Sequence, residues 1–300
     1  MSTISSWIGA ARLRTLPLSI SGILVGSSIA WREGFFDIAI FSLALGTTLG
    51  LQILSNFAND YGDGVKGTDN DERLGPSRAI QSGLITQKDM LAAIVITAVT
   101  TLLLAVLLIY ASFGEENILE ALFFFFLGIG AIIAAMKYTM GDSAYGYRGL
   151  GDIFVFIFFG LVAVYGSYYL YSHEHHLISL FPAVSIGLLS VAVLNLNNLR
   201  DRISDEKSGK MTLVVKMGEN RAKDYHYTLI LGALFCLVVY SVITSSDLND
   251  FLYLLAFIPL IFHLHRVVNN QDPKLLDPEL KVVALSTFGI ALLFTVGLLW

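Results

Sequence analysis

Asn56, Asn59, Asp60 and Asp63 recur at spacings of three and four, which on a helix sets them on one face. They end an apolar run long enough to cross a bilayer. A Gly-rich turn carrying Asp69, Asp71 and Glu72 follows, with Lys66, Arg73 and Arg78 interleaved. A carboxylate at the bilayer centre costs about 2.5–3.5 kcal/mol on insertion scales, so a cluster at a membrane helix end calls for a functional reason. A second cluster, LNLNNLRDRISDEKSGKMTL from Leu194, repeats the pattern: Asn197 or Asn198, Asp201 and Asp205 recur about four apart. Left alone, carboxylates brought together from two helix ends repel one another. A divalent cation removes that repulsion. Mg²⁺ suits oxygen ligands, keeps several waters, and combines one or two carboxylates with phosphate oxygens. Lys and Arg nearby would take up remaining phosphate charge, Arg bidentately. The chemistry expected is therefore a metal holding a phosphorylated substrate between the two clusters. The alternative, two ordinary solvated loops, sits poorly with two similar clusters on one side of a membrane.

The elements that must carry these clusters are read from hydropathy. The chain has 300 residues, 55% hydrophobic and 14% charged, which places it among polytopic membrane proteins rather than large soluble domains. A hydrocarbon core of about 30 Å needs roughly 20 apolar residues per helix. Nine stretches meet this near Leu16–Trp31, Ile38–Asn59, Met90–Phe113, Ile118–Tyr138, Ile153–Tyr171, Leu177–Leu199, Tyr227–Thr244, Phe251–Val268 and Val282–Trp300. The first resembles a signal peptide, with Arg12 and Arg14 before it, but lacks a small-residue cleavage site and is read as a retained span. No stretch alternates as a membrane barrel strand does. The expected fold is all-α, nine transmembrane helices around a central cavity.

The 19 Lys and Arg residues test that count. With nine spans, all but Arg32 fall on one side, so the positive-inside rule predicts a cytoplasmic N-terminus and an outer C-terminus. Both acidic clusters then face the cytoplasm. Four spans separate them, which predicts one membrane domain over residues 1–300. It would comprise two four-helix halves, about residues 1–140 and 141–270, plus a ninth helix.

ND-x-x-D at Asn59, Asp60 and Asp63, with D-x-x-x-D at Asp201 and Asp205, resembles the two acidic motifs of the UbiA superfamily of intramembrane aromatic prenyltransferases. The likeness is closer to its menaquinone branch, the 1,4-dihydroxy-2-naphthoate polyprenyltransferases. It is carried by RLRTLPLS from Arg12, NFANDYGDGVKGTD from Asn56, GPSRAIQSG from Gly75, YRGLGDIFVFIFFG from Tyr147, NNLRD from Asn197 and GKMTL from Gly209. Two departures are visible. Asp69 lies six beyond Asp63 where many members place an acid four beyond, and Asp152 follows GLG where the branch often has Glu.

The resemblance implies a nine-helix bundle in the bacterial inner membrane, with Mg²⁺, or Mn²⁺ in its place, bridged between the motifs. It implies Asn59, Asp63, Asp201 and Asp205 as metal or metal-water ligands, with Asp60 and Asn198 next. Arg12, Lys66, Arg78, Arg148 and Lys210 become candidates for diphosphate contacts, and Tyr138 and Tyr147 for the cavity wall. The implied reaction joins polyprenyl diphosphate to 1,4-dihydroxy-2-naphthoate, with diphosphate and carbon dioxide lost. Asp60 or Asp205 is the candidate general base. The bilayer is a partner and nucleic acid is not.

Two other classes of membrane protein carry acidic clusters. A cation-coupled transporter would place its acids near the midplane on broken helices. A lipid-head-group phosphotransferase would hold its acids in one short region, whereas these clusters lie far apart in the chain. Hydroxybenzoate and homogentisate are the rival acceptors. His173, His175 and His176 read as a solvated loop, His263 and His265 as polar packing, and Cys236 as a buried structural thiol.

Overall fold

The computed structural model describes residues 3–68, 74 and 78–300. Asp69, Asp71, Glu72, Arg73 and the start of GPSRAIQSG lie outside the described residues. Among those described, nine helical stretches are long and apolar enough to cross a membrane, one for each expected. They are Ile4–Arg32, Ile38–Lys66, Gln87–Phe113, Ile118–Lys137, Gly151–Ser172, Leu177–Lys207, Glu219–Thr244, Leu248–Val268 and Pro273–Leu299.

Local chemistry sets their ends. Asp37 caps the second span by accepting from the amides of Ala39 (2.7 Å) and Ile40 (3.1 Å), and Gly67, at φ +71°, closes it. Thr86 caps the third span. The first span is broken: a short helix, Ile4–Ala11, stops at Arg12, which adopts φ +51°, and the main helix restarts at Leu16 with Pro17 in its first turn. The eighth span begins as a 3₁₀ helix over Leu248–Phe257 and becomes α-helical at Ile258, where Pro259 fits the opening turn.

The main departure from expectation concerns the second and sixth spans. They run to Lys66 and Lys207, well past Asn59 and Leu199. Asp60, Asp63, Asp201 and Asp205 thus stand on rigid helix ends, not in loops.

The first and sixth spans are the most enclosed. The first packs against the second, fifth and ninth, and the sixth against the fifth, seventh and ninth, which closes a ring. The second lies along the third and the sixth along the seventh. Close approach of backbones rather than water exclusion drives such packing. At Gly160, in a π-helical segment over Phe156–Gly166, an added Cβ would lie 2.6 Å from Ala183 O and 2.7 Å from Gly187 Cα on the sixth span. Outward faces are apolar, as Phe123 (64% exposed) and Phe126 (65%) illustrate. The neighbouring Phe124 turns inward, with Phe154, Phe158 and Phe159, onto a cavity of about 1140 Å³. Cys236 is half-buried rather than buried.

Candidate active site

The polar end of the cavity is built from the acidic helix ends. On the second span, Asn56 donates to Ala11 O (2.9 Å) and Thr15 Oγ1 (3.2 Å), docking the helix against the break in the first span. That break carries Arg12, whose guanidinium pairs with Asp60. Arg78 returns from the following loop. Its Nη1 donates to Asn59 O (2.9 Å) and Asp63 Oδ2 (2.7 Å), and its Nε lies 3.7 Å from Asp60 Oδ1. Tyr147 donates to Asp63 Oδ1 at 2.8 Å and accepts from Thr68 at 2.5 Å. Gly62 lets the segment after the fourth span come close: a Cβ there would lie 2.7 Å from the Thr139 carbonyl carbon. Thr139 Oγ1 uses this approach to bond Ala58 O at 2.9 Å.

The second motif reaches the first through Lys210. Its ammonium lies 3.6 Å from Asp63 Oδ2 and 3.8 Å from Asp205 Oδ1, so carboxylates from the second and sixth spans face one cation. Asp60, Asp63, Asp205 and Lys210 are all buried. Asp201 is held by its neighbour: Arg200 Nε donates to its Oδ1 (2.8 Å) and Nη2 to its Oδ2 (2.7 Å). Arg200 also reaches Asn197 Oδ1 (2.8 Å) and Asp277 Oδ1 (2.6 Å) on the ninth span.

Not every expected residue arrives. Arg148 is exposed, and only its carbonyl is engaged, accepting from Lys216 Nζ at 2.6 Å; the turn before the fifth span points its side chain away from the cavity. Lys66 bonds Thr139 O at 2.8 Å and lies 4.0 Å over the Tyr147 ring, bracing the wall from behind. Asn197 lines the cavity and Asn198 does not, because adjacent helix residues point about 100° apart. Tyr138 lines the cavity, whereas Tyr147 acts one layer behind it through Asp63. Arg200, Asp277 and Tyr145 line it unforeseen. Arg200 and Asp277 had a weak signal. Arg200 follows Asn197 by three on the same helix, but its charge had already been assigned to membrane orientation.

Outside the spans, the electrostatics favour fixed charge states. Burial alone would lower the Lys210 pKa, but Asp63 and Asp205 more than offset this and hold it above its ordinary 10.5. Such a group contributes fully below its unfolded value and loses its contribution only as pH rises through the higher folded value. Pyrophosphate affinity should therefore show no Lys210-dependent fall up to roughly pH 9.5, as titration calorimetry across that range would show. Burial and then the Asp63 carboxylate raise Tyr147, so its hydroxyl stays protonated and donating. Burial, then Asp63, Asp152 and Asp205, keep the Tyr138 phenol neutral. Its ring faces the cavity as a cation-stabilising surface.

The donor set fits a hard divalent cation. Oxygen is the donor type that Asp63, Asp205, Asp201 and Asn59 offer. Among the described residues no three carboxylate, imidazole or thiolate groups already form a closed metal cage. Mg²⁺ needs no such cage, since water and phosphate complete its shell. Of the cavity's basic side chains, Arg12, Arg78, Arg200 and Lys210 are each paired with a carboxylate, from Asp60, Asp63, Asp201, Asp205 or Asp277, while Arg14 and Lys281 also line the wall. Because those four cations are already partnered, added positive charge would strengthen diphosphate binding here.

Among the described residues, nine candidate spans enclose an apolar chamber with acidic helix ends at its polar end, the architecture of an intramembrane enzyme. The pattern of the UbiA prenyltransferase family matches residues 19–280, and the chain belongs to that family. It is 42% identical over 298 residues to the 1,4-dihydroxy-2-naphthoate octaprenyltransferase of Escherichia coli K12, covering 99% of this chain and 96% of that enzyme. The fold is similar to the apo structure of a UbiA homologue from Aeropyrum pernix K1, with a TM-score of 0.67 at 14% identity over 100% of this chain and 98% of that one. It is also similar to a UbiA homologue from Archaeoglobus fulgidus bound to DMAPP and Mg²⁺, with a TM-score of 0.55 at 16% identity over 95% and 99% of the two chains.

Proposed function

We infer that this chain transfers a polyprenyl group from polyprenyl diphosphate to 1,4-dihydroxy-2-naphthoate, giving the reduced, quinol form of demethylmenaquinone with loss of diphosphate and carbon dioxide. The near-complete alignment with the Escherichia coli octaprenyltransferase supports the acceptor. The observation that carries the mechanism is the meeting of Asp63 and Asp205 at Lys210, at the polar end of an otherwise apolar cavity.

Asp63, Asp205 and Asn59 would hold Mg²⁺, with Asp201 adding the lone pairs that Arg200 leaves on its oxygens. When bound, the metal supplies Lewis acidity and positive charge to the departing diphosphate. Arg12, Arg78 and Lys210 then bind and orient the diphosphate oxygens from the cavity wall. The allylic C–O bond breaks, its electron pair leaving with diphosphate. Phe154, Phe158 and Phe159 keep water from the resulting carbocation-like carbon, and the Tyr138 face stabilises it without attacking. The acceptor ring supplies the electron pair for the new C–C bond. Loss of its carboxylate as carbon dioxide returns a pair to the ring. Of the two candidate bases, Asp60 lines the cavity and Asp205 does not, so in this reading Asp60 takes the hydroxyl proton and returns it to that oxygen once carbon dioxide has left. At about 1140 Å³ the cavity exceeds the usual small-molecule range, which suits a long isoprenoid. With the amino terminus in the cytoplasm, as the placement of Lys and Arg supports, the polar end opens to the cytoplasmic side.

The test is product mass. Membranes carrying the chain receive polyprenyl diphosphate with dihydroxynaphthoate or with hydroxybenzoate. Prenylated naphthoquinol lacking the carboxylate is expected. A product that retains the carboxylate, or turnover of hydroxybenzoate alone, overturns the assignment.

A further inference from the structure

Arg200 is one of the most enclosed charges in the chain, with a side chain 2% exposed, yet it lines the cavity. Its guanidinium carries five N–H donors. Four are used: Nε on Asp201 Oδ1, Nη2 on Asp201 Oδ2 and Asn197 Oδ1, and Nη1 on Asp277 Oδ1. One N–H of Nη1 has no partner among the described residues. A desolvated cation with its plane fixed from both ends and one donor spare is a ready contact for an anionic oxygen.

Asp277 fixes the end that carries that spare donor. It stands in the first turn of the ninth span, and a separate network sets the register of this turn. Glu279 accepts from Arg266 Nε (2.5 Å) and Nη2 (3.0 Å) and bonds His263 Nδ1 (2.6 Å), whose Nε2 meets His226 Nε2 at 2.8 Å. The seventh, eighth and ninth spans are thus tied together two residues beyond Asp277. None of His226, His263, Arg266 or Glu279 lines the cavity.

We propose that Arg200 is a further binding residue for the donor diphosphate and that Asp277 is the positioning residue that aims it, an inference resting on the prenyl-transfer reading above. Charge alone predicts the opposite effect for Asp277. A carboxylate beside an anion site weakens anion binding, so its removal would tighten the site if it were a bystander. If it aims Arg200, its removal loosens the site. The sign of one measurement separates the two.

The measurement is calorimetric binding of inorganic pyrophosphate with Mg²⁺ to the full-length protein in lipid nanodiscs. Asp277→Ala is expected to weaken binding about tenfold, and Asp277→Glu to recover most of that loss. Asp277→Asn, which keeps an acceptor, should fall between them and guards against an alanine variant that fails to fold. Arg200→Lys should also weaken binding about tenfold, because an ammonium cannot make the same planar set of bonds. Adding Asp277→Ala to it should then cost nothing further. Equal or tighter binding by the alanine variant overturns the proposal, as does an undiminished Asp277→Ala effect in the lysine background. Pyrophosphate is common to every prenyl donor. A wrong acceptor assignment would instead appear as intact pyrophosphate binding with no turnover of dihydroxynaphthoate.

Discussion

Replacing Asp63 by alanine should lower Mg²⁺-dependent diphosphate release at least about a thousandfold, equivalent to roughly 4 kcal/mol of transition-state stabilisation. The side chain is 1% exposed and is the hub of the polar end. Arg78 is 2.7 Å from one oxygen, Tyr147 2.8 Å from the other, and Lys210 within 3.6 Å. Without it, two cations and a phenol lose their common acceptor, and the metal site proposed above would lose a carboxylate. Asp63→Asn keeps the shape but brings no charge, and its single amide oxygen can accept from Tyr147 or from Arg78 at their present positions, not from both. The check is diphosphate release from membranes containing equal amounts of inserted protein, with Asn expected to be nearly as inactive as Ala. Turnover near wild type in both would remove the metal clamp from the mechanism.

Replacing Lys210 by methionine should be nearly as severe, about a hundredfold in kcat/KM, with a further cost in stability. The methionine fills similar volume, so packing is largely kept and charge is what is lost. Asp63 and Asp205 would then face each other across the cavity end with no cation between them. Breaking one side of a buried ion pair costs about 3–5 kcal/mol because a charge is left uncompensated. A divalent cation can supply the missing charge, so raised Mg²⁺ should restore part of the thermal stability of the variant and little of its turnover. Differential scanning measurements at low and high Mg²⁺ test this. A variant as stable as wild type in low Mg²⁺ would mean that the two carboxylates are not held by Lys210.

The nine spans were legible because hydropathy and charge placement reported on the same count. The site was legible in type and only partly in membership. Spacings of three and four marked Asp60, Asp63, Asp201 and Asp205 as one-faced sets, yet the spans were ended before them, because charge was read as loop. Helical periodicity was the better guide: the helices continue to Lys66 and Lys207. Arg148 and Lys66 failed because motif proximity does not fix where a side chain points. The choice between Asn197 and Asn198 depends on helix rotation relative to the ninth span, which no local pattern encodes. The π-helical turn at Gly160 and the approach of Thr139 to Gly62 are tertiary facts with no sequence period. His173 and His175 are exposed, as a solvated loop requires, although His173 also stacks on Phe113 at 4.9 Å and the half-buried His176 meets Glu33 at 3.3 Å. His263, expected to pack, does so through His226 and Glu279.

The left-handed backbone at Arg12 bears on how this enzyme can be engineered. A branched or long side chain in that conformation costs roughly 1–2 kcal/mol, which glycine avoids. Yet the position supplies the guanidinium that meets Asp60. Selection for heat resistance alone should therefore drift toward glycine at this corner and yield robust, catalytically poor descendants. A library for industrial hardening should keep residue 12 constant and seek its gains on the lipid-facing surfaces.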